Sequence, residues 1–331
     1  MSSFRTELII SPAAFQWGLG NPVLTLGSCF AEVMGRQLAE NKLPVLINPF
    51  GTIFNPVSIS QLITQSVNNA LPTDVSNSLF TQRYGCWFHH NFHSRFTANS
   101  QEALQQQISL SLNQTNGFLQ QTDVVLLTFG TAWAHRLKET GTVVANCHKL
   151  PATHFDRHLL TTQEIAAAFD SSYRALKAIR PQLHIILTVS PVRHLKDTIP
   201  LNQVSKSTLR LACHELTQRF GDVHYFPSYE FMMDDLRDYR FYQPDMIHPT
   251  EVAEAYIWQK FSDIYLNPEA REFITEWADI RKALVHRPFQ PESPAHRTFL
   301  ENTLGKLEKV SQTANVSAEM AEVRQRLEKT K

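Results

Sequence analysis

Two short segments of the sequence carry residues that could do acyl-transfer chemistry. The first is Gly27-Ser28-Cys29, in which a hydroxyl and a thiol, the two commonest acyl nucleophiles, stand side by side. The second is Asp245-x-x-His248, in which the aspartate can orient the imidazole through one ring nitrogen. The other ring nitrogen can then face a nucleophile. Together the two segments predict a nucleophile paired with a general base.

Each segment also has a simpler interpretation. Ser28 is a good helix-capping residue, and a Gly-Ser-Cys turn often does no more than start a helix. An Asp-x-x-His in a loop before a helix is commonly a capping arrangement. The residues leave the nucleophile open. A thiol at a helix start beside a histidine is expected to have a lowered pKa, whereas a serine needs His248 to remove its proton.

The first segment lies where a strand hands over to a helix. Residues 23–26 are apolar or β-branched and predict a short buried strand. Gly27 then permits a tight turn, and a helical pattern of apolar residues begins at Ala31. The first N–H groups of such a helix are unpaired, so they can hold an anion or the oxyanion of an acyl-transfer intermediate.

Strands and helices alternate along the rest of the chain. Further strands are predicted at 123–131 and 184–193, each running into a polar turn, and at 223–227, with helices at 58–69, 102–119, 161–179, 201–220 and from 250 onward. This order predicts an α/β fold with a mainly parallel sheet covered by helices on both sides. Ligands of such sheets bind at the carboxyl ends of the strands. The turns at Gly27, Gly130 and Ser190 all fall there.

The composition excludes several classes of function. Of the 331 residues, 43% are hydrophobic and 19% are charged, which favours a large folded core. Lys plus Arg and Asp plus Glu number 31 each, so no net positive charge is available to hold nucleic acid or an anionic membrane. The first residues lack the apolar core of a signal peptide, and the four cysteines show no CxxC spacing. These features predict a cytoplasmic protein.

A stretch at 80–96 is dense in aromatic residues and histidines and is expected to be extended. Cys86, His89, His90 and His93 have the chemistry of metal ligands. Acidic residues that could support such ligands are lacking nearby, which favours an aromatic segment that lines a pocket. We therefore predict no metal.

The composition changes near Pro288. Pro288, Pro291 and Pro294 form a breaking segment, and residues 300–331 predict a charged helical tail. We expect one domain over 1–287, with a linker and tail over 288–331. The tail is either a helical appendage through which the protein forms a homo-oligomer or a solvated surface helix.

Leu26-Gly27-Ser28-Cys29-Phe30-Ala31 resembles the signature of the GSCFA family, which is similar to the SGNH, or GDSL-like, hydrolases. The resemblance spans about residues 20 to 265. Other matching stretches are Asn48-Pro49-Phe50-Gly51-Thr52, Thr128-Phe129-Gly130-Thr131-Ala132-Trp133, Asn146-Cys147-His148-Lys149, Ser190-Pro191-Val192-Arg193-His194 and Asp245-x-x-His248-Pro249.

This resemblance implies a flavodoxin-like, three-layer α/β/α fold of the SGNH-hydrolase type. It assigns the closing catalytic pair to Asp245 and His248 and oxyanion contacts to Gly51 and Gly130. The wider superfamily has Gly-Asp-Ser where this chain has Gly-Ser-Cys, so an ungapped match puts Cys29 in the nucleophile's position.

The chain departs from the superfamily pattern at a second place. The asparagine expected after Gly130 is absent, with Thr131, Ala132 and Trp133 in its place. Asn146 is then the candidate to supply an oxyanion contact from another loop.

The resemblance implies an esterase, deacylase or acyltransferase that acts on a small or carbohydrate-linked acyl ester without metal or organic cofactor. The expected substrate-binding residues are Thr131, Trp133, His148, Lys149, Arg193 and His194. Trp87, Phe88 and Trp133 either stack on a sugar ring or pack in the core. The alternative function is a non-catalytic module that binds a carbohydrate or nucleotide-sugar in a degenerate pocket.

Overall fold

The computed structural model describes residues 6–69 and 76–329. Its strands are β1 (Val23–Gly27), β2 (Val45–Ile47), β3 (Phe80–Arg83), β4 (Cys86–His89), β5 (Val124–Phe129), β6 (Trp133–Leu137), β7 (Val143–Val144), β8 (Phe155–Leu159), β9 (His184–Val189) and β10 (Val223–Phe226). Its α-helices are α1 (Cys29–Glu40), α2 (Pro56–Asn68), α3 (Ser76–Leu79), α4 (Gln101–Leu119), α5 (Thr162–Ile179), α6 (Ile199–Arg219), α7 (Ser228–Glu230), α8 (Glu251–Tyr265), α9 (Pro268–Val285), α10 (Pro294–Val310) and α11 (Ser317–Lys329).

The main sheet has five parallel strands in the order β10-β9-β5-β1-β2. Counted along the chain, these strands run 2-1-3-4-5 across the sheet, which is the flavodoxin-like order. The predicted mainly parallel sheet is therefore confirmed. In this order the connections leave β1 and β5 in opposite directions, and ligands bind beside that point.

The sheet is covered on both faces. Every residue of β1 and of β5 is buried, although successive side chains of a strand point to opposite faces. The apolar core combines residues of these strands with residues of α2, α4, α5 and α6. The result is the three-layer α/β/α arrangement that the sequence predicts.

Most observed helix ends lie within two residues of the positions that the sequence predicts. The Thr161 side chain accepts from the Glu164 N–H, and the Glu164 carboxylate accepts from the Thr161 N–H, so the expected cap of α5 is a full capping box. Helix α1 begins at Cys29, two residues before the predicted start at Ala31. No helix in the described ranges is both long and apolar enough to cross a membrane.

Two smaller antiparallel sheets lie in the connections. β3 pairs with β4 within the aromatic stretch at 80–96, which is extended in part as predicted. β6 pairs with both β7 and β8. The sequence predicts no strand at these positions. Polar residues at several positions of β6 and β8 hide their strand character.

The chain divides into two compact units. The first comprises Met1–Ile9, Pro22–Arg36 and Val45–Gln259 and contains the parallel sheet. The second comprises Ile10–Asn21, Gln37–Pro44 and Lys260–Lys331 and has a core of its own. That core is built from Phe273, Trp277, Ile280, Leu300, Leu307, Val310, Val316 and Val323.

The boundary expected at 288 falls within the second unit. The described part of the predicted tail forms α10 and α11, whose apolar residues pack into the core of that unit. These helices are therefore not solvated surface helices. The last two residues of the predicted tail, 330–331, lie outside the described ranges.

The turn after β1 depends on a glycine. Gly27 has a φ of +139°, which L side chains rarely adopt, and its strand pairs with β5 so that Gly27 lies opposite Thr128. A Cβ atom on Gly27 would lie 2.1 Å from the Thr128 carbonyl oxygen. Because that oxygen belongs to the sheet backbone, it cannot move aside cheaply.

We expect Gly27→Ala to lower the free energy of unfolding by about 3 kcal/mol or more, because it adds a backbone clash to an unfavourable φ. Urea unfolding measures this loss. Gly221→Ala is the matched control, since a Cβ at Gly221 meets nothing within 4 Å, and should change stability by about 0.5 kcal/mol at most. Equal stability of the two variants would contradict the account of this turn.

Candidate active site

The structure separates the two candidate nucleophiles. Ser28 is 1% exposed, and its Oγ accepts from the Phe30 N–H at 3.3 Å, as the side chain of an N-cap residue does. Cys29 is the first residue of α1 and is partly exposed. The hydroxyl is therefore used to begin the helix, and the thiol is the accessible group.

The pKa of Cys29 differs from the expectation. Burial raises the pKa of the Cys29 thiol above its ordinary value. Its own N–H, the Lys206 ammonium and the Phe30 N–H lower this pKa by less than burial raises it, and the Glu32 carboxylate raises it further. The predicted lowering is therefore wrong because desolvation outweighs the helix N-terminus. Cys29 rests as a thiol and needs a base to become a nucleophile.

Asn48 holds the Gly27–Cys29 turn in place. Its Oδ1 accepts from the Gly27 N–H at 2.9 Å, and its Nδ2 donates to the Ser28 carbonyl at 3.4 Å. The side chain is fully buried. Asn48 lies in a stretch that matches the family, but its role could not be predicted, because a bridge of this kind depends on where β2 ends.

The two predicted oxyanion glycines both have their N–H groups in use. The Gly51 N–H donates to the Asn48 carbonyl at 2.8 Å, and the Gly130 N–H donates to the Phe54 carbonyl at 2.8 Å. The N–H of Thr52 has no acceptor among the described residues. This neighbour of Gly51 is a better candidate donor, and sequence reasoning missed it.

Asp245 and His248 form the predicted pair. The Asp245 Oδ2 lies 2.7 Å from His248 Nδ1, and its Oδ1 accepts from the His248 N–H at 3.0 Å. The hydrogen bond from the His248 ring lowers the pKa of Asp245 to about 2. Asp245 is thus a carboxylate at neutral pH, which assigns the proton to Nδ1 of neutral His248 and leaves Nε2 to accept a proton. Both side chains are 43% exposed.

The His248 loop is tied to the loop that follows β9. The Arg193 N–H donates to the Ile247 carbonyl at 3.2 Å. His194 interacts electrostatically with both His248 and Lys206, and Lys206 interacts with Cys29. This hydrogen bond and these electrostatic interactions link the two candidate segments at the carboxyl edge of the sheet. In the described ranges, no hydrogen bond joins His248 to Ser28 or Cys29.

Three of the predicted substrate-binding residues are already committed within the chain. Thr131 is 9% exposed, and its Oγ1 lies 3.0 Å from Ser205 Oγ. The Trp133 indole donates to a backbone carbonyl, and the Arg157 guanidinium lies 4.2 Å from its ring. The His194 ring packs edge-on against Phe54 at 5.5 Å.

The two predicted cations differ in how they are held. The Arg193 guanidinium lies 4.0 Å from the centre of the Tyr242 ring and 5.4 Å from that of Tyr239. No carboxylate pairs with Arg193 within the described part of the chain. Lys149 is exposed on the loop after β7. Arg193 is therefore the cation that the fold keeps in a defined place near His248.

Asn146 and His148 belong to a separate histidine cluster. The Asn146 Oδ1 accepts from the His148 N–H at 2.8 Å, and the His148 ring stacks on Phe88 at 4.9 Å. The His148 Nε2 lies 3.0 Å from the carbonyl of His89. No hydrogen bond in the described ranges joins Asn146 to the Gly27–Cys29 turn. The structure gives this asparagine a role in shaping a turn.

None of the described residues provides a group of three or more His, Cys, Asp or Glu side chains that could hold a metal ion. Burial lowers the pKa of His89 to about 3 and of His148 to about 4, so both rings are neutral near pH 7.

Lys206 is a site residue that sequence reasoning missed. It lies on α6, is 1% exposed, and donates from Nζ to the carbonyls of Gly130 at 2.8 Å and Ser190 at 2.7 Å. A signal was present in the sequence. Lys206 falls on the same helical stripe as the buried residues Asn202, Leu209 and Cys213, where a lysine is unexpected.

The fold and site define an α/β protein with a flavodoxin-like parallel sheet and a thiol, an imidazole and a buried amine at its carboxyl edge. Comparison of the sequence with family models identifies its family. The model described as the GSCFA family matches residues 22–261, and that of the GSCFA domain protein, C-terminal domain, matches residues 277–329. The chain belongs to the GSCFA family, as its motifs predict.

Solved structures offer weaker likenesses. One is provisionally named a platelet activating factor from Streptococcus pneumonia; it has 11% identity and a TM-score of 0.37 and covers 73% of this chain and 84% of its own. Another is a carbohydrate esterase family 3 protein from Talaromyces cellulolyticus, with 11% identity and a TM-score of 0.32. The match covers 77% of the present chain and 99% of the esterase chain. No protein of curated function matches the chain. Neither structural likeness is strong enough to bear on function.

Three buried histidines predict how stability depends on pH. Burial lowers the pKa of His89 to about 3, and of His148 and His194 to about 4, against about 6.5 in the unfolded chain. Between these values the unfolded state binds more protons, so stability falls as the pH drops below about 6.5. We expect His148→Gln to reduce this slope by about one proton, or about 1.4 kcal/mol per pH unit.

Urea unfolding of wild type and variant at several pH values between 4 and 7 measures the slope. The control is His214→Gln, since His214 is exposed on α6 and its replacement should leave the slope unchanged. A His148→Gln slope equal to that of wild type would show that this ring does not stay neutral in the fold.

The assignment of Ser28 as a cap gives a second stability prediction. Ser28→Ala should lower the free energy of unfolding by about 1 kcal/mol, because it leaves the Phe30 N–H without its acceptor. Ser100→Ala is matched, since Ser100 caps α4 by accepting from the Ala103 N–H at 3.2 Å, and should cost a similar amount. Thermal or urea unfolding compares them. An unchanged Ser28→Ala stability would remove the capping role.

Proposed function

We propose that the protein is an esterase-type acyl-transfer enzyme of the SGNH type, in which Cys29 is the nucleophile, His248 the general base and Asp245 the residue that orients His248. One observation carries the proposal: Asp245 fixes the proton of His248 on Nδ1 and leaves Nε2 to take a proton, at the sheet edge where the thiol of Cys29 is accessible.

The reaction begins with transfer of the Cys29 thiol proton to His248 Nε2. The sulfur forms a C–S bond with the ester carbonyl carbon, and the carbonyl oxygen takes up the negative charge. Collapse of this intermediate breaks the C–O bond, and His248 returns the proton to the departing alkoxide. Water, or an acceptor alcohol, then loses a proton to His248 and attacks the thioester. The C–S bond breaks and the thiol is restored.

A separate set of donors can stabilise the oxyanion. The N–H of Cys29 belongs to the first turn of α1, and the N–H of Thr52 has no acceptor among the described residues. Gly51 and Gly130 could contribute only by giving up their present hydrogen bonds. We therefore assign the oxyanion contacts to Cys29 and Thr52.

The side of the site next to His248 suggests the substrate class. The Arg193 guanidinium lies 4.0 Å from the centre of the Tyr242 ring, beside the His248 loop, and can donate to hydroxyl, carbonyl or acid groups of a substrate. A small acyl ester with a polar or carbohydrate alcohol portion suits such a surface. Hydrolysis, deacylation and transfer to an acceptor share the same acyl-enzyme step.

Two observations favour a non-catalytic binding protein as a second candidate. The N–H groups of Gly51 and Gly130 are engaged within the chain, and the pKa of Cys29 is raised. A pocket that binds a carbohydrate or nucleotide-sugar ester without cleaving it would keep the same residues for contact alone.

Hydrolysis of p-nitrophenyl acetate tests the proposal. We expect Cys29→Ala to abolish turnover, His248→Gln to lower it by about 10²–10⁴-fold, and Asp245→Asn to lower it because the favoured tautomer is lost. Ser28→Ala should keep activity once its folding is verified. Cys86→Ala, which removes another partly exposed thiol, is the control and should retain full activity.

Mass spectrometry of the quenched reaction should find the acetyl group on the peptide that contains Cys29. Turnover that is the same in wild type, Cys29→Ala and His248→Gln would exclude this enzyme mechanism and favour the binding protein.

A further inference from the structure

Lys206 is a buried cation, and its hydrogen bonds to the backbone do not require a charged donor. Its Nζ donates to the carbonyls of Gly130 and Ser190, and the Tyr229 ring lies 5.8 Å away. In the described part of the chain no carboxylate pairs with it. Buried charges are normally paired because desolvating them is costly. Two carbonyls need only two N–H donors, which an uncharged amide would supply at lower cost.

The position of Lys206 at the sheet edge points to another partner. Gly130 follows β5 and Ser190 follows β9, so Nζ lies where these two neighbouring strands end. On the other side of β5 is β1, which leads directly into Cys29. An ammonium has three N–H groups, and two of them are taken by the carbonyls. The third is free for an anion at this edge.

We propose that Lys206 is a positioning residue that acts through Cys29: its ammonium stabilises the Cys29 thiolate and so sets the reactivity of the nucleophile. As a step in catalysis this inference rests on the proposed function. As a statement about the charge of the thiol it can be tested alone.

The electrostatics of the edge support this role. Burial lowers the pKa of Lys206, and the charge of Cys29 acts in the opposite direction. The Lys206 ammonium in turn lowers the pKa of Cys29, against the effect of burial. Each charged form stabilises the other, as binding linkage between two sites requires. When the thiolate forms, its charge and that of the Lys206 ammonium cancel.

Other charged groups bear on the same thiol. Glu32, one turn along α1, raises the pKa of Cys29. His194, from the loop after β9, interacts with Lys206 and with His248, and its pKa is lowered to about 4 by burial, so it carries no charge near neutral pH. His93 interacts with Glu32 from the loop after β4. Lys206 is thus the cation that directly opposes Glu32 at Cys29.

The test measures the rate at which iodoacetamide alkylates Cys29 as a function of pH, followed by mass spectrometry of the Cys29 peptide. Lys206→Gln keeps N–H donors for the two carbonyls but removes the charge, and Lys206→Met removes both. We expect both variants to shift the midpoint of the Cys29 profile upward by about one pH unit or more. Lys206→Arg, which keeps a charge, should stay closer to wild type.

Glu32→Gln is the matched control of opposite sign, and it should shift the midpoint downward because it removes the opposing carboxylate. The peptides that contain Cys86 and Cys147 serve as internal controls, and their profiles should not respond to Lys206. A purely structural role for Lys206 predicts lower stability without a shift in the Cys29 midpoint.

A reciprocal measurement does not depend on folding of the Lys206 variants. The Cε carbon of Lys206, observed by NMR in lysine-labelled protein, should titrate at lower pH in Cys29→Ala than in wild type. An unchanged Cys29 midpoint in folded Lys206→Gln, or an unchanged Lys206 titration in Cys29→Ala, would overturn the proposal. A shifted midpoint in a protein that hydrolyses no ester would keep the charge assignment and reject the proposed function instead.

Discussion

The carboxyl edge of the parallel sheet depends on buried side chains that pair the backbone groups left open where the strands end. Unpaired buried backbone groups are costly, and three adjacent strands end together here. Asn48 pairs the N–H of Gly27, and Lys206 pairs the carbonyls of Gly130 and Ser190. The same work is done by Ser205 at the Ala132 N–H and by Ser228 at the Val189 carbonyl. The candidate site is thus built from residues that also pair the backbone groups at the ends of the strands.

This constraint separates the roles of two adjacent residues. Ser28 is buried and accepts from the Phe30 N–H, so its hydroxyl is part of the turn. Cys29 is one residue further on, at the start of α1, and its thiol reaches partly exposed space. Composition could not choose between a hydroxyl and a thiol, whereas burial and capping favour the thiol as the reactive group. The family register and the burial of Ser28 both support the proposal that Cys29 is the nucleophile.

The sequence was sufficient for the parts of the fold that local patterns encode. The buried strands β1, β5 and β9 are mostly apolar runs, and the capping box of α5 is visible in Thr161 and Glu164. β2 has only three residues, and β6 and β8 are mixed in polarity, so neither periodicity nor length reveals them. The helix α9 was also missed, because its apolar residues face a core that forms only in the second unit.

The candidate site was predictable to a similar extent. Asp245 and His248 are three residues apart, so their hydrogen bond is a local property and could be expected. The roles of Asn48, Thr52 and Lys206 depend on which strand ends lie side by side, and no local pattern contains that information. For Asn146 the family stretch suggests an oxyanion contact, which stays a prediction. The structure adds a local role that was not predicted, because its Oδ1 accepts from the His148 N–H and holds that turn.

Burial divides the site into two electrostatic environments. In the buried part of the site, desolvation raises the pKa of Cys29 and lowers that of Lys206. The charged forms of both are therefore disfavoured unless they form together. In the solvent-exposed part of the site lie Asp245 and His248, and the Asp245 carboxylate remains charged. A substrate that covers His248 would exclude water from this pair and strengthen its electrostatic interaction with the buried side. The activation of Cys29 would then depend on substrate binding. Without substrate, the site is open to water and the thiol stays protonated and unreactive.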